Sequence, residues 1–188
     1  MTANKLVVGL AGMPGAGKSV VVEVAKGMGY DVVVMGDIVR GEAYRKSLEC
    51  TPENLGKIMI ELRVQEGKSV IAKRCIPKIM ESVKEKVVVD GIRSPAEIEE
   101  FKRHFPKFTL IAIRASPETR FKRLYHRKRS DDPKNWEIFH GRDMRELSVG
   151  LGEAMAQAEY VVENEGALKA TKQQVVEILR RIEEKWMK

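Results

Sequence analysis

Gly12-Met13-Pro14-Gly15-Ala16-Gly17-Lys18-Ser19 is the stretch that decides the fold of this 188-residue chain. It matches the pattern G-x-x-x-x-G-K-[ST], and its flanks give the match a structural setting. Residues 5–11 before it are apolar and β-branched, which is typical of a buried parallel strand. Residues 20–26 after it place their apolar side chains on one face of a helix. The sequence therefore predicts a strand, a glycine loop and a helix in succession.

This loop has the composition of a phosphate-binding loop, and we call residues 12–19 the P-loop. Its glycines permit backbone conformations in which successive N–H groups point into one concavity. The first turn of the following helix adds N–H donors and the positive end of its dipole. Lys18 is expected to reach the β- and γ-phosphates of a nucleotide, and the Ser19 hydroxyl is expected to ligate Mg²⁺. The sequence thus predicts a site for ATP and Mg²⁺, with nucleotide contacts from Gly12, Gly15, Ala16, Gly17, Lys18, Ser19 and Val20.

The positive charge of the chain is concentrated in one short segment. The formal net charge is +7, and residues 120–129 carry six Lys and Arg side chains with no carboxylate among them. The rest of the chain therefore has a net charge of only +1. A local cluster on a nearly balanced chain favours binding of a compact polyanion, such as nucleotide phosphates, and argues against nucleic acid as the partner.

The sequence also indicates the cellular compartment of the protein. The sequence carries no signal-peptide pattern and no apolar run of about 20 residues, so we expect a soluble, cytoplasmic protein without a membrane partner. Cys50 and Cys75 are isolated from each other and are expected to be reduced structural thiols. The histidines are scattered without nearby cysteines, which predicts no zinc cluster.

Short apolar runs alternate with helical patterns along the chain. Strands are expected at residues 5–11, 30–35, 87–90, 108–114 and 160–162. Thr51-Pro52 and Ser94-Pro95-Ala96-Glu97 are helix-start patterns, and the second is a full capping box. A long helix is expected after residue 133 with Leu147 inside, and the closing helix is expected to bury Leu168. This alternation predicts an α/β fold with a five-stranded parallel sheet and right-handed crossovers.

Charged side chains follow the predicted strands at the edge where open α/β sheets bind ligands. Asp90 ends the third strand, a position from which an acid can hold Mg²⁺ directly or through water. Asp37 follows the second strand. Arg40 and Arg93 lie three residues beyond these two acids, and Arg63 lies in the helical segment between them. Because guanidinium groups bind phosphate with two hydrogen bonds, we expect these arginines to hold an acceptor phosphate.

The basic segment and the helix after it supply further candidates. Arg123 and Arg127 are an i, i+4 pair on one helical face, and Arg142 and Arg145 lie one turn apart. Basic residues on a mobile segment can close over a transferring phosphoryl group, neutralise its charge and exclude water. For each of them, a solvated surface arginine is the alternative interpretation.

Several motifs resemble those of the P-loop small-molecule kinases, the group of the nucleoside monophosphate kinases and dephospho-CoA kinase. Residues 36–40, Gly-Asp-Ile-Val-Arg, resemble the Gly-Asp-x-x-Arg of adenylate kinases. Residues 90–93, Asp-Gly-Ile-Arg, resemble their Asp-Gly-x-Pro-Arg, shortened by one residue and without the proline. Arg129-Ser130-Asp131-Asp132, with the later Arg142 and Arg145, resembles their lid motif. Residues 160–166 resemble the last strand and the adenine-side loop, where Asn164 and Glu165 would lie.

Within this group the chain is most similar to an archaeal adenylate-kinase-like branch. The resemblance implies one P-loop kinase domain over residues 1–188 with a three-layer fold. The core is expected at residues 1–37, 86–114 and 146–188, an acceptor-binding helical insertion at about 38–85, and a lid at about 115–145. Motifs and resemblance together assign catalysis to Lys18, Asp37, Arg93, Arg123 and Arg127, acceptor binding to Asp37, Arg40, Arg63 and Arg93, and metal binding to Ser19 and Asp90.

Three functional hypotheses follow. In the first, which we favour, the protein phosphorylates a small nucleotide-like acceptor whose phosphate is already ionised and needs no general base. In the second, the acceptor is a hydroxyl, as in dephospho-CoA, and Asp37 removes its proton. In the third, a P-loop ATPase or switch binds nucleic acid through its basic segment, which would make binding steeply dependent on salt.

Overall fold

The computed structural model describes residues 4–129 and 132–186, which form a three-layer α/β fold around one five-stranded sheet. Neighbouring strands are all parallel, in the order β2-β3-β1-β4-β5. The strands are β1 (Leu6–Ala11), β2 (Asp31–Val34), β3 (Lys86–Asp90), β4 (Lys107–Arg114) and β5 (Tyr160–Glu163). The predicted fold class is therefore confirmed.

Helices connect the strands and cover both faces of the sheet. They are α1 (Lys18–Gly27), α2 (Met35–Arg45), α3 (Pro52–Glu66), α4 (Val70–Glu81), α5 (Pro95–His104), α6 (Pro117–Arg127), α7 (Trp136–Ser148), α8 (Leu151–Ala156) and α9 (Leu168–Trp186). The segment between the adjacent strands β2 and β3 contains α2, α3 and α4, and the expected lid region contains α6 and most of α7. Ser130 and Asp131 of the expected lid motif lie outside the described residues. In the described part of the chain, no helix combines the length and the apolar character that a bilayer span requires.

Side chains of the central strand β1 alternate between two apolar cores. Leu6, Val8 and Leu10 pack in the core that α1 and α9 cover. Val7 and Ala11 pack in the opposite core, together with side chains of α2, α3, α4, α5 and α8. A strand that is covered on both faces needs apolar residues at every position, which explains the continuous apolar run in the sequence.

The two predicted helix starts are present, and one differs in its second hydrogen bond. Thr51 and Ser94 cap α3 and α5 with their side chains. The capping-box pattern predicts that Glu97 returns a hydrogen bond to the backbone N–H of Ser94, but its Oε2 instead accepts from the N–H of Arg93 at 2.7 Å. That part of the prediction is wrong because Oε1 of the same carboxylate accepts from Arg63 Nη2 at 2.6 Å, which fixes the side chain in this direction.

The single long helix predicted after residue 133 is wrong, since the chain forms α7 and α8 there. Gly150 between them has a φ of 102°, a left-handed conformation that ends a helix and favours glycine. Leu147, which the pattern places inside, is 44% exposed because it lies in the last turn before this break. Leu168, the first residue of α9, is also exposed, because it precedes the turns that pack on the sheet.

The second strand is shorter than the sequence pattern indicates. β2 covers Asp31–Val34, and α2 begins at Met35 without an intervening loop. Asp37 therefore lies in the first turn of α2 and not at the end of a strand. In that position its carboxylate interacts favourably with the positive end of the helix dipole.

Candidate functional site

The P-loop joins the end of β1 to the start of α1. Gly15 and Gly17 have φ values of 82° and 101°, which L-residues with a side chain rarely adopt. Met13 O accepts from Ala16 N at 3.0 Å and closes a turn. The ammonium group of Lys18 donates to Gly12 O at 2.6 Å, so this side chain folds back over the loop. Ser19 and Val20 follow in the first turn of α1, where Ser19 is exposed.

The P-loop glycines also allow neighbouring elements to approach closely. A Cβ atom on Gly12 would lie 2.8 Å from Ile113 O, and one on Gly15 would lie 2.7 Å from Arg120 O. A Cβ atom on Gly17 would collide with Nδ2 of Asn164. The glycines are therefore needed for packing as well as for backbone conformation.

Asn164 and Arg123 brace the P-loop from behind. Asn164, buried after β5, donates from Nδ2 to Ala16 O at 2.9 Å and accepts from Thr171 Oγ1 at 3.0 Å. Arg123 donates from Nη2 to Asn164 O at 2.8 Å and from Nη1 to Ala16 O at 3.4 Å. The structure thus brings Arg123 to the P-loop backbone through these two carbonyl groups.

Two arginines of the basic segment form ion pairs with carboxylates that follow the segment in sequence. Arg120 is buried and forms an ion pair with Asp143 of α7, and it also donates to Pro14 O at 3.2 Å. Arg127 forms an ion pair with Asp132. Residues 120–129 contain no carboxylate of their own, but two of their six cations have acidic partners outside the segment. Asp132 lies 5 positions from Arg127, and Asp143 lies 23 positions from Arg120.

Lys18 and Asp90 occupy the bottom of the site. Asp90 is the last residue of β3 and pairs in register with Leu10 of β1, which places it beside the P-loop. Its Oδ1 is buried and has no hydrogen-bond partner among the described residues. Burial lowers the pKa of Lys18 below its usual range, and the carboxylate of Asp90 opposes this shift.

Two cavities meet at the carboxyl edge of the sheet. The first, which we call the P-loop cavity, has a volume of about 240 Å³. It is lined by Gly12, Pro14, Gly15, Lys18, Val34, Gly36, Arg40, Asp90, Gly91, Ile92, Arg93, Leu124, Arg127, Arg129, Arg142 and Glu146. The second, which we call the insertion cavity, has a volume of about 130 Å³. It is lined by Gly36, Val39, Arg40, Pro52, Leu55, Gly56, Met59, Arg93, Arg142, Arg145 and Glu146.

The two cavities share one wall. Its charged members are Arg40, Arg93, Arg142 and Glu146, from α2, the loop after β3, and α7. Beyond this wall, the insertion cavity is lined mainly by apolar side chains, and Arg145 adds one further cation. A ligand that spans both cavities would therefore present an anionic group at the shared wall and an apolar or planar body to α2 and α3.

Glu146 forms the closest charge contact of Arg93. Oε2 of Glu146 accepts from Arg93 Nε at 2.7 Å. Burial favours the neutral form of Glu146, but Arg93, Lys18 and Arg142 outweigh it and hold the pKa of this carboxyl below its ordinary value. The same contact raises the pKa of Arg93. Both side chains are therefore charged at neutral pH.

The remaining expected acceptor residues lie in different environments. Arg40 lines both cavities, and its guanidinium pairs with the carboxylate of Asp37 in the same helix. Asp37 itself is half exposed and is not among the residues that line either of these cavities. Arg63 does not line them either, since Glu97 and the backbone carbonyl of Met59 accept its hydrogen bonds. The P-loop cavity thus brings together five of the predicted site residues: Lys18, Arg40, Asp90, Arg93 and Arg127. Asp37 contacts this group through its pairing with Arg40, and Arg63 is not part of the group.

Sequence reasoning missed three carboxylates that organise this site, Glu97, Asp143 and Glu146. Each accepts a hydrogen bond from an arginine side chain at least 23 positions away in the sequence. Glu97 also accepts one from the nearby backbone N–H of Arg93. The available signal was the i, i+3, i+4 spacing of Arg142, Arg145 and Glu146 in α7, which puts all three on one helical face.

Comparison with known proteins agrees with this architecture. Residues 11–140 match the family described as "AAA domain". A UPF0200/UPF0201 protein of Archaeoglobus fulgidus is 50% identical over 185 residues, which is 97% of this chain and 57% of that protein. A UPF0200 protein of Methanothermobacter thermautotrophicus is 42% identical over 182 residues, which is 97% of this chain and 93% of that protein. The chain therefore spans little more than half of the first relative and nearly all of the second.

Solved structures share the fold at low sequence identity. TT1252 from Thermus thermophilus has a TM-score of 0.63 at 17% identity, over 94% of this chain and 97% of that chain. A gluconokinase from Sinorhizobium meliloti has a TM-score of 0.58 at 14% identity, over 98% and 97% of the two chains. A shikimate kinase from Bacteroides thetaiotaomicron has a TM-score of 0.58 at 16% identity, over 93% and 98%. These similarities show the P-loop kinase fold.

Proposed function

We propose a kinase function for this chain, which belongs to the UPF0200 family and contains a domain of the family described as AAA domain. In the proposed reaction, the γ-phosphoryl group of Mg-ATP passes to a small nucleotide-like acceptor. ATP would occupy the P-loop cavity and the acceptor the insertion cavity.

The observation that carries this proposal is the shared wall of the two cavities. Arg40, Arg93 and Arg142 line both of them, so they face the point where a donor phosphate and an acceptor phosphate would meet. A phosphoryl group in transfer carries charge on its three equatorial oxygens, and cations that are already in place stabilise it. A wall of arginines at the junction therefore fits phosphoryl transfer better than it fits binding of one nucleotide alone.

In the proposed mechanism the chain contributes positioning and charge neutralisation. The N–H groups of the P-loop and the ammonium of Lys18 hold the β- and γ-phosphates. Arg40 holds the acceptor in line, and Arg93 reaches both the acceptor and the transferring phosphoryl group. Arg142 in the same wall and Arg127 in the P-loop cavity neutralise the charge of that group. Arg123 acts through the P-loop backbone that it braces. A phosphate acceptor is ionised at neutral pH, so no side chain has to remove a proton.

Asp90 in the P-loop cavity and Ser19 at the start of α1 offer oxygen ligands of the kind that fit a bound magnesium ion. Oδ1 of Asp90 is buried and has no hydrogen-bond partner in the described part of the chain, so it is suited to a cation or its water. Carboxylate and hydroxyl oxygens are the ligands that Mg²⁺ prefers. Ser19 and Asp90 would hold the ion, which would neutralise charge on the β- and γ-phosphates. Ser19 is open to the solvent at the start of α1, as this role requires.

A hydroxyl acceptor is the second candidate. The structural neighbours named gluconokinase and shikimate kinase favour it, because their names describe acceptors other than nucleotides. This function needs a carboxylate near the attacking oxygen, for which Asp37 is the sequence-based candidate. The pairing of Asp37 with Arg40 and its place outside the cavity linings argue for an orienting role instead. Nucleic-acid binding has less support, since Arg120 and Arg127 have internal partners.

The test is ADP release from Mg-ATP with a panel of nucleoside and deoxynucleoside monophosphates, dephospho-CoA, gluconate and shikimate. Stimulation by a monophosphate, absent in Lys18→Ala, is the expected result. Stimulation by hydroxyl acceptors alone would favour the second candidate. ADP release that no acceptor changes would contradict the kinase proposal, and a salt titration of DNA and RNA binding would then test the ATPase alternative.

A further inference from the structure

Glu146 of α7 lies in the shared wall and contacts Arg93, one of the arginines that the sequence motifs assign to the acceptor. We propose that Glu146 is a positioning residue, which orients the guanidinium of Arg93 so that its outer edge meets the transferring phosphoryl group. This proposal rests on the kinase function proposed above.

The hydrogen bonds of Arg93 leave one edge of its guanidinium open to the cavities. A guanidinium carries five N–H groups, on Nε, Nη1 and Nη2. Glu146 Oε2 accepts from Nε at 2.7 Å, and the described residues provide no hydrogen-bond acceptor for Nη1 or Nη2. Arg93 lines both cavities. The Nη1/Nη2 edge is therefore the one that can bind two phosphate oxygens at the junction.

A second carboxylate holds the backbone of the same residue. Glu97 Oε2 accepts from the backbone N–H of Arg93 at 2.7 Å, and Glu97 Oε1 accepts from Arg63 Nη2 at 2.6 Å. Glu97 is completely buried. Arg93 is thus fixed at its backbone by Glu97 and at its side chain by Glu146. A long side chain that is fixed at both ends loses less conformational entropy when it binds phosphate, which strengthens binding.

The hydrogen-bond geometry distinguishes a Glu146 that positions Arg93 from one that competes with phosphate for the Arg93 guanidinium. A carboxylate that occupied the phosphate-binding edge of Arg93 would accept from Nη1 and Nη2, and a phosphate would have to displace it. Glu146 accepts from Nε and leaves that edge open. Its ionised carboxylate is balanced by Lys18 and Arg142, so the wall keeps its positive charge.

The experiment compares the affinities of the full chain for Mg-ADP and for a Mg-bound non-hydrolysable ATP analogue by calorimetry. The ratio of the two dissociation constants isolates the γ-phosphate, because everything else in the two ligands is shared. The variants are Glu146→Ala, Glu146→Gln, Arg93→Ala and the double variant Arg93→Ala/Glu146→Ala. Glu137→Ala is the matched control, since Glu137 is an exposed glutamate of the same helix.

We expect Arg93→Ala and Glu146→Ala each to lower the preference for the ATP analogue by about tenfold, because a charge-assisted contact to the γ-phosphate is lost or misaligned. Glu146→Gln keeps an oxygen for Nε and should change the preference by less than about threefold. The double variant should resemble Arg93→Ala, because Glu146 acts through Arg93. Glu137→Ala should resemble the unmodified chain.

Three results would overturn the proposal while leaving nucleotide binding intact. They are an unchanged or higher preference in Glu146→Ala, an unchanged preference in Arg93→Ala, and additive losses in the double variant. A higher preference would indicate competition between Glu146 and phosphate. If the unmodified chain binds neither nucleotide, both the kinase function and the role of Glu146 are contradicted. The three results above contradict only the role of Glu146, because nucleotide binding is retained in them.

Discussion

Asp143 of α7 and Arg120 of α6 form a two-pronged buried ion pair, with Oδ1 2.9 Å from Nη1 and Oδ2 2.5 Å from Nη2. The guanidinium also lies over the ring of Phe139, 4.9 Å from its centroid, and donates to Pro14 O. One arginine therefore joins α6, α7 and the P-loop. This pair links α7, the helix that carries Arg142, Arg145 and Glu146, to α6 and to the P-loop.

Asp143→Ala should lower the free energy of unfolding by about 3–5 kcal/mol, because it leaves the charge of Arg120 buried without its partner. Urea denaturation at neutral pH measures this change. Replacing both residues, as Arg120→Met/Asp143→Leu, should cost less than the single change because no charge is then buried. A loss below about 1 kcal/mol for Asp143→Ala would contradict the buried pair.

Gly17→Ala should abolish tight binding of Mg-ADP, because Gly17 has a φ of 101° and an added Cβ atom would collide with Asn164. Gly27→Ala is the matched control in α1, where the added Cβ atom would meet nothing within 4 Å. Gly27→Ala should bind Mg-ADP normally, and its free energy of unfolding should rise by up to about 1 kcal/mol because alanine favours the helix more than glycine does. Normal nucleotide affinity in Gly17→Ala would show that the packing of Asn164 against the P-loop is not required.

Asp37→Asn should lower turnover by less than about tenfold with the acceptor that stimulates ADP release, because Asp37 pairs with Arg40 and does not line the cavities. Steady-state kinetics with saturating Mg-ATP measures this effect. A loss of several orders of magnitude would identify Asp37 as a general base and favour the hydroxyl acceptor.

Glu146→Gln should change how stability depends on pH. The pKa of Glu146 is lowered in the folded state, so its contribution to stability is fully present above its ordinary pKa and is lost as pH falls through the folded value. The unmodified chain should therefore be more stable than Glu146→Gln at neutral pH, and the difference should shrink in acid. Denaturant titrations of both proteins from pH 7 to pH 3 provide the measurement, and a difference that grows in acid would contradict it.

The two thiols should differ in reactivity. Burial raises the pKa of Cys75 to about 12, whereas Cys50 is partly exposed. Because the thiolate is the reactive form, a disulfide reagent at pH 8 should modify Cys50 in the folded chain and Cys75 only after denaturation. Cys50→Ser should therefore show no rapid reaction, and rapid modification of that variant would indicate that α4 opens readily.

Local patterns were sufficient for much of the fold. The P-loop, the continuously buried strand before it, and the caps at Thr51 and Ser94 all depend on residues that lie close together in the sequence. The predicted single helix after residue 133 was wrong because one residue, Gly150, adopts a left-handed conformation within an otherwise helical pattern.

The sequence by itself determined the parallel α/β core, the P-loop and the position of Asp90 at the edge of the sheet. Local spacing encodes each of these through backbone conformation and periodic burial. Only the tertiary structure decided where the side chains of Arg63, Arg93 and Arg120 lie, because the carboxylates that accept their hydrogen bonds are at least 23 positions away along the chain. Glu97 holds Arg63 inside the protein, Asp143 holds Arg120 behind the P-loop, and Glu146 meets Arg93 in the shared wall. An arginine that pairs with a buried carboxylate and one that binds substrate look alike in sequence, and the difference between them is set by how the helices pack.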